Sequence, residues 1–118
     1  MDRLRKRAEF LAVAGGERVS RPGFVLQALK APGAATTRFG FTVTKKVGNA
    51  VVRNRIRRRI REAVRLATGI PAGHDYVLIG RRAALTLPFE RLAADLRSGF
   101  DALAGRESRP PKGPGTHG

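Results

Sequence analysis

The sequence predicts an α+β fold, an α/β sandwich with elements in the order helix, strand, strand, helix, strand, helix. Three observations predict it. The segments "PGFVLQAL" and "RFGFTVTKK" alternate with the two-residue period of a strand. "HDYVLIGRR" is a short, continuous apolar run bounded by charges, the pattern of a buried central strand. Two longer stretches, around residues 50–68 and 88–103, repeat apolar residues at helical spacing.

In chain order, residues 3–14 read as a short amphipathic helix, with Phe10, Val13 and Ala14 on one face and Gly15-Gly16 as the stop. Phe24, Leu26 and Ala28 then alternate with Val25, Gln27 and Leu29, a strand with one face better buried than the other. "KAPGAATT" reads as a loop. Phe39, Phe41 and Val43 share one face of the next strand, and antiparallel pairing with the preceding one is the simplest expectation. Asn49 is placed as the N-cap of a helix from Ala50 to about Thr68, which Gly69 and Pro71 end. The strand at 74–82 is expected to be central and covered on both faces. If it runs parallel to a neighbour, the helix from Ala50 is the crossover, and general rules make that crossover right-handed. Pro88 suits the first turn of the last helix, whose buried face is Phe89, Leu92, Leu96, Phe100 and Leu103, and Gly105 ends it. Residues 1–105 are thus expected to form a single domain, and 106–118, rich in Pro and Gly, a disordered basic tail.

Charge indicates the partner. Twenty-four Lys and Arg against nine acids leave a net +15 in 118 residues, with a pI near 11.9. Such an excess calls for a polyanion, nucleic acid first and an anionic membrane second. The chain has no cysteine, which excludes disulfides, thiolate zinc sites and a cysteine nucleophile, and fits a cytoplasmic protein. No apolar run reaches the length of a membrane span or a signal-peptide core.

The charge concentrates in "GNAVVRNRIRRRIREAVR", Gly48 to Arg65, which holds seven arginines and one glutamate. On a helical wheel Val52, Ile56, Ile60, Ala63, Val64 and Ala67 form a docking stripe. Asn54, Arg57, Arg58, Arg61 and Arg65 lie opposite, Arg55 and Glu62 beside them, Arg53 near the cap and Arg59 at the stripe's edge. Like-charge pairs such as Arg57/Arg61 each cost on the order of 0.2–0.5 kcal/mol on an isolated helix. Glu62 alone cannot offset them, so the missing anions belong to a partner. Arginine suits phosphates and stacks on bases. A DNA-reading helix would show more neutral base readers than Asn54 and a partner helix or zipper, and neither is present. A folded RNA fits best; DNA and membrane are not expected.

Three pieces of the chain resemble the protein component of bacterial ribonuclease P: "GFTVTKKVGNAV", "RNRIRRRIRE" and "RLRKRAEFLAV", with "DYVLIGRR" and the last helix following in the family's order. The likeness covers about residues 3–104. It implies an α/β sandwich with an unusual left-handed βαβ crossover, against the general rule. It also implies a ribonucleoprotein endoribonuclease of tRNA processing, in which a magnesium-dependent catalytic RNA removes the 5′ leader of precursor tRNA. The protein binds both that RNA and the leader. By the same resemblance Lys45, Lys46, Arg53, Asn54, Arg55, Arg57, Arg58, Arg61 and Arg65 face the RNA subunit. Phe10, Ala14, Phe24 and Gln27 fall at the leader-binding cleft. Ala14 stands where family members often carry a second aromatic, and Gln27 where some carry tyrosine. Arg59 replaces a common apolar residue and Arg57 a common lysine.

The residues suggest no catalysis by the protein itself. His74 reads as a solvated loop side chain with Asp75 as a weak local partner, and His117 lies in the tail. Ser20, Ser98 and Ser108 have no base nearby in sequence, and no phosphate-binding glycine loop occurs. No catalytic or metal-binding residue and no protein-bound cofactor is expected, Mg2+ being implied for the RNA alone. The alternative is a non-enzymatic binder of structured RNA, such as a ribosomal protein or RNA chaperone.

Overall fold

A computed structural model of the chain describes residues 2–30 and 37–108. Its elements are β1 (Asp2–Arg3), α1 (Arg7–Ala14), β2 (Glu17–Arg21), β3 (Phe24–Lys30), β4 (Arg38–Thr42), α2 (Ala50–Leu66), β5 (His74–Gly80) and α3 (Phe89–Ser108). Single 3-10 turns at Lys45–Val47 and Arg82–Leu85 precede α2 and α3. The strands form one sheet in the order β1-β4-β5-β3-β2. Helices α2 and α3 cover one face and α1 the other, so the predicted sandwich is present.

The element around Asn49 forms as expected. Asn49 Oδ1 accepts the Val52 N–H at 3.0 Å and caps α2. Ile56, Ile60, Ala63 and Val64 are buried in the main core, with Val52 and Ala67 packed at its margin. The helix ends at Leu66, two residues early, because Ala67 already has extended backbone, and Gly69 follows with φ +73°. Leu92, Leu96, Phe100 and Leu103 of α3 complete this core with Phe24, Leu26, Phe39, Tyr76 and Leu78 from the sheet. A smaller cluster under α1 holds Leu4, Val13 and Val77, with Phe10, Leu29 and Ile79 against it. Strand β5 is central and buried on both faces, as its apolar run predicts.

Five expectations change. First, the N-terminal helix begins at Arg7, not near residue 3. Asp2 and Arg3 instead pair in parallel with Arg38 and Phe39, and the Leu4 N–H donates to the Phe39 carbonyl at 2.8 Å. Burial of Leu4 beneath α1 favours this arm over another helical turn. Second, Glu17–Arg21 is an edge strand paired antiparallel with β3 through a tight turn at Pro22-Gly23. Only Val19 of its five residues is buried, so it carries too little apolar pattern to be read. Third, β3 and β4 are not neighbours: β5 lies between them, antiparallel to β3 and parallel to β4. Helix α2 is therefore the crossover of a βαβ unit. Fourth, β3 is buried on both faces from Phe24 to Ala28, because α1 covers the side that carries Gln27. Fifth, Gly105 does not end α3: a Cβ there would meet only open space, and the helix runs on to Ser108. Residues 109–118 of the expected tail, and 31–36 of the expected loop, lie outside the described residues.

His74 is likewise not a solvated loop residue. It opens β5, is buried, stacks on Tyr76 with ring centroids 5.4 Å apart, and its Nδ1 lies 2.8 Å from the Ala72 carbonyl. Among the described residues no helix is long and apolar enough to cross a membrane.

Candidate nucleic-acid interface

Two surfaces meet at the end of β4. The first is the outer side of α2. Asn54, Arg55, Arg58 and Arg65 are exposed, and Arg53, Arg57 and Arg61 are half-buried. Lys45 and Lys46 are exposed on the turn before the helix. Val51, Asn54, Arg55 and Arg58 line a shallow depression of about 250 Å³, in which Val51 is 66% exposed. An open valine among guanidinium groups offers an apolar rest for a base or ribose beside charges for phosphate.

These cations are held by few acids. Arg65 binds Glu62 at 2.5 Å and lowers that carboxyl's pKa. Arg53 Nε donates to the Gly48 carbonyl at 3.2 Å, and Arg57 donates to Asn54 Oδ1. Arg61 lies over the Phe41 ring, 5.4 Å from its centroid, and its Nε is buried without a hydrogen-bond partner. Burial pushes the Arg61 pKa down, and Arg3, Arg57 and Arg58 push the same way. The cluster is thus short of negative charge on its own molecule. Arg59 differs from the rest. It turns inward and donates to the Ala84 and Leu87 carbonyls at 2.5 and 2.8 Å, tying α2 to the turn before α3. That explains a charged residue at the stripe's edge.

The second surface is a cleft of about 490 Å³ between α1 and the sheet, lined by Phe10, Ala14 and Gln27 among others. Gln27 is 6% exposed and brings an amide to the cleft wall. Phe24 is not in the cleft. It lies 1% exposed in the opposite core, because residues three apart on a strand point to opposite faces. The sequence reading missed Arg5, Arg7, Phe41, Thr42, Val77 and Ile79, which also line the cleft. Arg5 and Arg7 were signalled by the basic run before Phe10. Val77 and Ile79 were hidden in an apolar run with no alternation. Phe41 borders the cleft and also carries Arg61, so the two surfaces adjoin there.

The cleft wall is anchored by an ion cluster. Arg38 on β4 makes two hydrogen bonds to Asp75 on β5, at 2.9 and 2.7 Å, and a third to Glu9 on α1 at 2.5 Å. Asp75 therefore serves Arg38, not His74 as the sequence suggested. The other Glu9 oxygen accepts the Lys6 and Arg5 N–H groups, both at 2.9 Å. Those amides, Lys6 foremost, and then Arg38 lower the Glu9 pKa from 4.5 to about 2. Asp75 and then Glu9 raise that of Arg38.

Ser20 and Ser98 have structural partners. Ser20 Oγ accepts from Arg81, and Ser98 Oγ accepts from Arg21 and donates to the Asp95 carbonyl. Among the described residues no group of three or more His, Cys, Asp or Glu is placed to hold a metal ion. The arrangement can bind and orient a polyanion.

The family described as Ribonuclease P matches residues 1–104. This chain belongs to the ribonuclease P protein family. Its relatives include the ribonuclease P protein component of Gluconacetobacter diazotrophicus, 57% identical over 98 residues that cover 80% of this chain and 84% of that protein. The Brucella suis component is 44% identical over 129 aligned positions, covering 95% and 92%. Among solved structures, the RNase P protein from Thermotoga maritima superposes with a TM-score of 0.74 at 30% identity, covering 86% of this chain and 97% of that one. The RNase P protein of Staphylococcus aureus gives 0.72 at 28%, covering 88% and 95%. Both surfaces described above fall within the residues matched to the ribonuclease P family.

Proposed function

We propose that this chain, as the protein subunit of ribonuclease P in tRNA processing, divides its two surfaces between two RNAs. Lys45, Lys46 and the outer arginines of α2, with Asn54, bind the catalytic RNA subunit in the cytoplasm. The cleft of Phe10, Ala14 and Gln27, rimmed by Arg5 and Arg7, takes the 5′ leader of precursor tRNA. Cleavage chemistry rests with Mg2+ held by the RNA, and the protein's part is affinity and placement. Ala14 removes one stacking surface from the cleft, so charge, shape and the Gln27 amide carry more of the leader contact.

The observation that supports this reading best is the meeting of cleft and arginine surface at Phe41. A strand in the cleft then lies beside an RNA bound on α2. The test is reconstitution with the cognate RNA subunit at low magnesium. Addition of the protein is expected to raise leader removal and to favour precursor over mature tRNA. Equal affinity for the two tRNAs, with cleavage unchanged, would reduce the protein to a general binder of structured RNA.

A further inference from the structure

The Glu9–Arg38–Asp75 cluster joins three elements that are distant in sequence: α1, β4 and β5. Its position bears directly on the cleft. Glu9 precedes Phe10, and its second oxygen holds the backbone of Arg5 and Lys6. Arg5, Arg7 and Phe10 are the α1-side residues of the cleft together with Ala14. The apolar support under this wall is small: its cluster has Leu4, Val13 and Val77 as its only buried members among the described residues. Helix α1 has just eight residues, too few to hold its shape or place alone.

We propose that Arg38 is a positioning residue for leader binding: its three-way clamp fixes α1 against β4 and β5 and so sets the width and charge placement of the cleft. Arg38 does not line the cleft; it acts through Glu9. Two features make the clamp directional. The planar guanidinium engages Asp75 through two parallel bonds, which fixes its orientation on the sheet. Its remaining bond to Glu9 then fixes the start of α1 relative to that sheet. A lysine keeps the charge but cannot span both carboxylates with the same fork. The inference rests on the leader-cleft reading of the preceding subsection.

The test uses Arg38→Met and Arg38→Lys in full-length protein, each reconstituted with the RNA subunit. Arg38→Met is expected to lower affinity for precursor tRNA about tenfold while leaving affinity for mature tRNA and for the RNA subunit unchanged. Arg38→Lys should recover part of that loss. Shortening the leader to a single nucleotide should abolish the difference between variant and parent. Amide hydrogen exchange of the free protein supplies the second arm: α1 amides should exchange faster in Arg38→Met while those of β3 and β5 stay protected. Unchanged precursor affinity together with unchanged α1 exchange overturns the clamp. So does equal loss for precursor, mature tRNA and RNA subunit with faster exchange throughout the sheet, which marks Arg38 as a general stability residue. If the parent protein itself does not distinguish precursor from mature tRNA, the leader reading fails, and the exchange arm still decides whether Arg38 holds α1.

Discussion

A Cβ placed on Gly40 would sit 2.5 Å from the Phe10 ring, so the aromatic of α1 rests on the bare backbone of β4. No other residue leaves that space. The contact sets how deep Phe10 sits and how near α1 comes to the sheet. Gly40→Ala is therefore expected to lift the ring and destabilise the protein by roughly 1–3 kcal/mol, as overpacking does. Thermal unfolding measures the cost, and precursor-tRNA affinity measures the displaced ring. A variant that keeps both would show that α1 adapts freely.

The arginines of α2 should separate into two classes. Arg55→Ala and Arg58→Ala are expected to weaken RNA-subunit binding and to reduce the log–log salt slope by about 0.7–0.9 per lost phosphate contact, with stability unchanged. Arg59→Ala should do the reverse. It removes the donor to two carbonyls and is expected to cost about 1–3 kcal/mol of stability, with the salt slope unaltered. Salt titrations paired with melting curves check both classes.

Acid should release the start of α1. The Glu9 pKa falls from 4.5 to about 2 on folding, so the unfolded chain takes up this proton first as pH drops. The stabilisation is full above pH 4.5 and is lost progressively as pH falls toward 2. Glu9→Gln should flatten that part of the stability–pH profile and leave the neutral-pH salt slope for RNA unchanged. Melting temperatures across this range, compared between the two proteins, give the answer.

Gln27→Met retains volume and removes the amide from the cleft. Precursor affinity is expected to fall severalfold while affinity for the RNA subunit holds, because the amide sits on the α1 side of the sheet, away from α2. A uniform loss of both would place Gln27 among the fold's supports.

Helix α2 was legible because cap, stripe and charged face are all local properties of one segment. The cleft was half legible. The family resemblance placed Phe10, Ala14 and Gln27 there, while Arg5 and Arg7 were passed over and nothing local told which other strand residues lay opposite. Phe24 was misplaced although strand parity with Gln27 already separates them. The Arg38 clamp was unreadable, since its three members are 29 and 37 residues apart and each alone is an ordinary surface charge. Strand β2 was missed because its pairing comes from β3 and its own sequence is mostly polar. The insertion of β5 between β3 and β4 is a tertiary choice that no single segment encodes.

That insertion has a consequence for how the molecule is made. The last strand in the chain is the middle strand of the sheet. Until Gly80 has been synthesised, β3 can pair only with β2, and β4 only with β1. The emerging chain is then two unjoined strand pairs, followed by an arginine-rich helix with no sheet to dock on. Loop closure across the whole βαβ unit must precede the central pairings, which slows folding relative to a simple meander. During that interval the apolar stripe of α2 is as open as its arginines, and only the closing of β5 between β3 and β4 gives it a sheet to cover it.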